Sequence, residues 1–103
     1  MHLDGLNDQL MALAAFRYCL GRRSYIVGSC LQWLRDTWEQ FEQNTKSVMV
    51  RDTIEALMED RTGMECDTQG WLEFAQFRMN QLTPTQQTWI RQQVSHKNKP
   101  FPW

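Results

Sequence analysis

The side chains best suited to metal binding or proton transfer are carboxylates in the middle of the chain. Asp52, Glu55 and Glu59 lie three and four positions apart, so a helix would place them on one face. A metal or acid–base site would also need carboxylates and histidine from a second helix. The two histidines, His2 and His96, stand near opposite ends of the chain. The spacing therefore favours a solvated acidic face over a catalytic or metal site.

The three cysteines, at positions 19, 30 and 66, are odd in number and irregularly spaced, unlike a zinc site or a disulfide framework. Cys66 stands between Glu65 and Asp67, and these two anions disfavour the reactive thiolate. The sequence also lacks Gly-x-Ser-x-Gly, phosphate-binding glycine loops, HExxH and calcium loops. We therefore expect buried reduced thiols, no metal, no cofactor and no enzymatic activity.

Charge is distributed unevenly along the chain, although the net charge is only −1. Residues 1–35 carry a net +2, residues 36–73 a net −7, and residues 74–103 a net +4. Three interpretations stay open: the basic ends neutralise the acidic middle within the fold, the middle meets a basic groove on a partner, or the ends contact nucleic acid. The third is the weakest, because the pI is about 6.1 and no basic cluster exceeds two adjacent residues.

Two segments combine residue types that are frequent in binding sites. The first is the corner from Arg17-Tyr18 to Arg22-Arg23-Ser24-Tyr25, because Arg and Tyr are enriched at interface hot spots. Its alternative role is structural, with arginines stabilising a helix C-terminus and tyrosines entering the core.

The second segment is the C-terminal tail, Pro100-Phe101-Pro102-Trp103, which cannot be helical across its prolines. An extended proline-rich segment loses little entropy on docking. Its two aromatic rings are expected either to fold back over the core or to dock on another molecule. The candidate partner-binding residues are then Arg17, Tyr18, Arg22, Arg23, Tyr25, Asp52, Glu55, Glu59, Asp60, Phe101 and Trp103.

Helices are the elements that must position these residues. Five glycines, three prolines and the lack of long β-branched runs in 103 residues favour an all-α fold. The length allows one domain. We predict a compact bundle of about five short helices over residues 1–96 and an extended tail over residues 97–103.

The first predicted helix runs from about Asn7 to Leu20, with Asp4 or Asn7 as its cap and Gly21 just past its end. Ser24 caps the second, which runs to about Phe41. The predicted inward stripes are Leu6, Leu10, Leu13 and Leu20, with Ala14, Ala15 and Phe16 beside them, and then Val27, Leu31, Leu34, Trp38 and Phe41.

The third predicted helix begins at Asn44 or Thr45 and continues through about Arg61. Asp67 caps a fourth, over residues 68–82. Thr83, Pro84 and Gln86 form a capping box for the fifth, which frays near residue 96. The predicted inward residues are Val50, Ile54, Leu57 and Met58 on the third helix and Trp89, Ile90 and Val94 on the fifth. On the fourth helix they are Trp71, Phe74, Ala75 and Leu82, and Phe77 and Met79 widen this inward face.

Residues 14–27, from Ala14-Ala15-Phe16-Arg17 to Tyr25-Ile26-Val27, resemble a segment of small phage and prophage accessory proteins of unassigned activity. Residues 50–57 and Glu65-Cys66-Asp67 with Trp71 resemble their downstream helices. The resemblance covers about half of the chain. It implies a protein that binds and disables a host machine, such as a CRISPR effector or another defence complex.

We therefore expect a phage-encoded binding protein that inhibits or modulates a bacterial host protein or nucleoprotein complex through its acidic or Arg/Tyr surface. A nucleic-acid-binding accessory factor that uses the basic ends and an oligomeric assembly protein, such as a homodimer, remain alternatives. The longest apolar run falls short of the ~20 residues that cross a bilayer, and the N-terminus lacks the basic region of a signal peptide. These features predict a cytoplasmic location without membrane association.

Overall fold

The computed structural model describes residues 6–20, 25–59, 68–95 and 98–103, with side chains for 8–18, 30–59, 68–95 and 98–103. These residues form five α-helices and one short 3₁₀ helix, and no strand occurs among them. The predicted all-α fold is therefore confirmed. The α-helices are α1 (Leu6–Leu20), α2 (Tyr25–Thr37), α3 (Gln43–Met58), α4 (Thr68–Gln81) and α5 (Pro84–Val94), and the 3₁₀ helix (Trp38–Gln40) lies between α2 and α3.

Helix α3 is the central element, because it packs against α1, α4 and α5. Two of the hydroxyls that it buries bond within the helix: Thr53 Oγ1 donates to the Met49 carbonyl at 2.8 Å, and Ser47 Oγ donates to the Gln43 carbonyl at 3.0 Å. Of its predicted inward residues, Leu57 is only half-buried. The helix is buried on several sides, through Thr45, Ser47, Met49, Val50, Thr53, Ile54, Ala56 and Met58.

A series of aromatic rings connects the elements around α3. Phe16 of α1 lies 6.1 Å from Trp71 of α4, measured between ring centroids, and Trp71 lies 6.3 Å from Phe74. Phe74 lies 5.3 Å from Trp38, and Trp38 lies 6.0 Å from Phe41, both edge to face. Edge-to-face pairs stabilise by about 0.5–1.5 kcal/mol beyond the burial of their area. These contacts tie α1 and the 3₁₀ helix to α4.

The sequence predicts that the second helix reaches Phe41, and this boundary is wrong. Helix α2 ends at Thr37, whose hydroxyl donates to the Trp33 carbonyl at 2.8 Å. A 3₁₀ turn follows, and Phe41 is extended, with φ −83° and ψ 145°. The turn still leaves Trp38 and Phe41 buried, so the predicted inward positions of these two rings are confirmed.

The predicted start of the third helix at Asn44 or Thr45 is also wrong. Helix α3 begins at Gln43, and the capping position is Glu42, whose own side chain makes no capping hydrogen bond. Thr45 lies inside the helix and is buried. The helical residues end at Met58, before the predicted end, and residues 60–67 lie outside the described residues.

The fifth helix begins as predicted. Thr83 Oγ1 accepts from the Gln86 backbone N–H at 3.2 Å, and Gln86 Oε1 accepts from the Thr83 N–H at 3.2 Å. Pro84 occupies the first turn. The capping box is therefore confirmed. Helix α4 begins at Thr68 and ends one residue before Leu82, while its predicted cap, residue 67, is not described.

The C-terminal tail lies back along the core. Phe101 and Trp103 are half-buried and pack against the hydrophobic core, with their ring centroids 4.8 Å apart. The guanidinium carbon of Arg91 lies 4.9 Å from the centre of the Phe101 ring. The structure thus shows the fold-back arrangement of the tail.

Candidate protein-binding face on helix α1

The buried side of α1 differs from the predicted one. Gln9, Ala12 and Phe16 are buried, and Leu13 is half-buried. Leu10, predicted to face inward, is exposed over about half of its surface, 54%. The predicted inward side is therefore wrong at Leu10, and also at Ala14 and Ala15, which are exposed. The side chains of residues 6 and 20, at the ends of the predicted stripe, lie outside the described set.

Gln9 explains this orientation of α1. Its side chain is almost completely buried and reaches the junction between the 3₁₀ helix and α3. Gln9 Nε2 donates to the Gln40 carbonyl at 3.2 Å, and Gln9 Oε1 accepts from the Glu42 backbone N–H at 3.0 Å. One amide thus satisfies a backbone acceptor and a backbone donor where no helix does so. Together with Phe16 against Trp71, this contact sets which side of α1 faces the core.

The opposite side of α1 presents apolar side chains to solvent. Because successive residues turn by about 100°, positions 10, 11, 14, 15 and 18 fall on the side away from Gln9 and Phe16. All five are exposed, and Met11 most clearly, at 71%. We call this surface the α1 face; it comprises Leu10, Met11, Ala14, Ala15 and Tyr18.

The α1 face is therefore one of two apolar sides of the same helix. A helix that is apolar on all sides is normally buried on all sides. Exposed Asp8 and Arg17 stand at the two edges of the face, and its five members carry no charge. A contiguous apolar surface between polar edges is typical of a protein–protein contact site.

Among the predicted site residues, the structure brings together Arg17 and Asp52. Arg17 Nε donates to Asp52 Oδ2 at 2.8 Å, and Arg51 Nη2 lies 3.2 Å from Asp52 Oδ1. The Asp52 side chain is only 12% exposed, so it lies largely out of solvent and is paired with two cations. Glu55 on α3 and Glu59, which directly follows the last residue of α3, are half-buried. Residues 22, 23 and 60 and the side chain of residue 25 lie outside the described set.

Two ion pairs agree with the first of the three charge interpretations, in which the basic ends of the sequence neutralise its acidic middle within the fold. Arg17 in the first third pairs with Asp52, and Arg78 in the last third lies 3.5 Å from Glu39. Each pair joins a basic end of the sequence to the middle. At these positions the two arginines neutralise acids of their own chain.

Sequence reasoning missed Leu10 and Met11 as candidate binding residues, because it placed Leu10 in the core. The sequence did contain a signal: uncharged residues with apolar surface recur every four positions, at 10, 14 and 18 and again at 11 and 15. A helix with two apolar stripes does not reveal from its own sequence which stripe the core takes.

Neither a metal-binding cluster nor a membrane-spanning helix is found in the described part of the chain. No group of three or more histidine, cysteine, aspartate or glutamate residues there could hold a metal ion. Cys30 is buried. None of the described helices combines the length and the apolar character needed to cross a bilayer. Comparisons with protein-family models, with curated proteins and with solved structures find no match.

Proposed function

We propose that this protein acts by binding another protein, and that the α1 face enters an apolar groove on that partner. The observation that supports the proposal is the exposed row of Leu10, Met11, Ala14 and Tyr18 on a helix whose other side is fully used by the core. Groove-binding helices present anchors at this spacing of three, four and seven residues. Met and Tyr suit such contacts, since they offer large surfaces that adapt to a groove.

The size of the α1 face favours a groove over a second copy of the chain. Positions 10 to 18 span about 12 Å of helix. An apolar patch of this length is on the order of a few hundred Å², below the roughly 800 Å² that each partner buries in a stable specific interface. A groove also encloses the edges of the helix, where Asp8 and Arg17 lie, and so adds polar contact area that a flat helix pair does not.

The proposed partner is a component of a bacterial host complex, and the proposed result of binding is inhibition of that complex. This part of the proposal comes from the resemblance to small phage accessory proteins, which implies anti-defence activity, for example against a CRISPR effector. A helical scaffold with one exposed apolar face suits such a role, because a contact surface that is already helical loses little conformational entropy when it docks.

The proposal is tested by affinity capture from bacterial lysate with matched variants. The double variant Leu10→Gln/Met11→Gln changes two exposed positions, so it should keep the native circular dichroism spectrum. We expect the native chain to retain one partner in stoichiometric amount, and the amount that the double variant retains to be at least ten-fold lower. The control, Gln32→Ala, changes an exposed residue of α2 and should retain the partner.

Three outcomes would contradict the proposal. Equal capture by the native chain and the double variant would place the contact elsewhere. A dimer in sedimentation equilibrium that the double variant abolishes would identify a second copy as the occupant. Unchanged phage restriction in cells that express the native chain would contradict the anti-defence role.

A further inference from the structure

A second site, separate from the α1 face, lies where the 3₁₀ helix, α3 and α4 meet. It is a pocket of about 320 Å³. Two cations, Lys46 from α3 and Arg78 from α4, stand on either side of the Glu39 carboxylate. Gln81 and Trp38 contribute to its walls. The residues at this pocket therefore carry one more positive charge than negative charge.

The Glu39 carboxylate is held loosely between the two cations. Its oxygens lie 3.6 Å from Lys46 Nζ and 3.5 Å from Arg78 Nη1, near the upper limit for an ion pair. The Glu39 side chain is 82% exposed, whereas those of Lys46 and Arg78 are only 16% and 15% exposed. The cations thus belong to the pocket, while the carboxylate reaches them from solvent.

Arg78 is incompletely satisfied in this position. Its Nη1 donates to Gln81 Oε1 at 2.9 Å, but its Nε is buried and has no hydrogen-bond partner. The guanidinium carbon lies 5.2 Å from the centres of the Trp38 and Phe77 rings and 5.6 Å from that of Phe74. Burial lowers the pKa of Arg78, and the charge of Glu39 opposes that change.

This arrangement explains why the Phe77 ring is exposed. The sequence predicts that Phe77 faces inward, and this is wrong, because the ring is 58% exposed. It instead lies against the Arg78 guanidinium at the protein surface. A guanidinium that stacks on rings is held in a fixed orientation, which favours recognition of a planar or tetrahedral oxyanion.

We propose that this pocket binds an oxyanion group, a phosphate or a carboxylate of a small ligand, which takes the place of the Glu39 side chain between Lys46 and Arg78. Glu39 already presents one carboxylate to both cations, so a single group of this size can reach both. Because Glu39 is exposed, it can turn into solvent without opening the core. A dianion adds charge compensation that the single Glu39 carboxylate does not supply.

The proposal is tested by titrating the full chain with inorganic phosphate and, separately, with malonate at low ionic strength. Binding is followed by heteronuclear NMR shifts of residues around the pocket. Glu39→Gln removes the competing carboxylate at an exposed position, and we expect it to tighten binding about ten-fold. Lys46→Gln and Arg78→Lys should weaken binding at least three-fold. Arg35→Gln, which changes an exposed arginine of α2, is the matched control and should leave binding unchanged.

The two titrations distinguish a phosphate from a carboxylate ligand, since the anion that binds more tightly identifies the preferred group. Two results would overturn the proposal. One is the lack of saturation by either anion in both the native chain and Glu39→Gln. The other is an equal weakening of binding by Lys46→Gln and Arg35→Gln, which each remove one positive charge, because that would reveal only the effect of net charge. Because Glu39→Gln does not alter the α1 face, either result leaves the proposed protein contact untouched.

Discussion

A single polar side chain, Gln9, decides which side of α1 faces solvent. It is the buried amide that joins the Gln40 carbonyl and the Glu42 backbone N–H. The sequence predicts none of this, because glutamine is mostly exposed in folded proteins. Its partners lie 31 and 33 positions away, so the tertiary fold alone brings them together.

Gln9→Ala should destabilise the protein by about 1–3 kcal/mol, because it removes a buried side chain together with its hydrogen bonds to the Gln40 carbonyl and the Glu42 N–H. Urea unfolding followed by tryptophan fluorescence measures this change. Gln32→Ala removes an exposed glutamine that pairs with Asp36 and should change the free energy of unfolding by less than about 0.5 kcal/mol. Similar losses in the two variants would mean that Gln9 does not orient α1.

The two acids that pair with the basic ends should differ in their contribution to stability. Asp52 is largely buried and pairs with Arg17 and Arg51, whereas Glu39 is mostly exposed. Asp52→Asn should therefore cost about 1–3 kcal/mol, and Glu39→Gln less than about 1 kcal/mol. Urea unfolding of the two variants at the same salt concentration compares them. A cost for Glu39→Gln that equals or exceeds that for Asp52→Asn would contradict this ranking.

At the scale of the elements, the start of α5 was correctly predicted because its cap lies in its own sequence. Thr83, Pro84 and Gln86 lie within four residues, and the capping box forms between them. The start of α3 could not be predicted in the same way, because Gln9 of another helix binds the N–H of its capping residue. The end of α2 was missed because the 3₁₀ turn keeps Trp38 and Phe41 inward, as a continued helix would.

Thr83→Ala should lower the free energy of unfolding by about 0.5–2 kcal/mol, because it removes the acceptor of the Gln86 N–H. Thermal unfolding followed by circular dichroism measures the loss. Thr88→Ala, at an exposed position within α5, is the control and should be neutral, since alanine favours a helix interior. Equal stability of the Thr83→Ala variant and the native chain would show that the capping box contributes little.

At the scale of the whole molecule, helices α1 and α5 both pack on α3, and α1 keeps one apolar side exposed. The all-α class followed from composition and periodicity. The position of the tail could not be decided from sequence, because a proline-rich segment with two rings suits a partner as well as its own core. The α1 face was hidden by the same ambiguity, since both sides of α1 are apolar.

Phe101→Ala should destabilise the fold by roughly 1–2 kcal/mol, about half the effect of a fully buried ring, because Phe101 is half-buried against the core. Urea unfolding measures this loss. Asn98→Ala, at an exposed position in the same tail, should have no measurable effect. Unchanged stability in both variants would mean that the tail does not contribute to the core.

The most direct test of the protein-binding proposal is site-specific photo-crosslinking in bacterial cells. A benzophenone amino acid replaces Met11 on the α1 face or, as control, Thr88 on α5, both of which are exposed. We predict one discrete crosslinked product, larger than the chain by the mass of a different protein, from position 11 and none from position 88. No product from position 11, the same products from both positions, or a product with twice the mass of this chain would contradict the account.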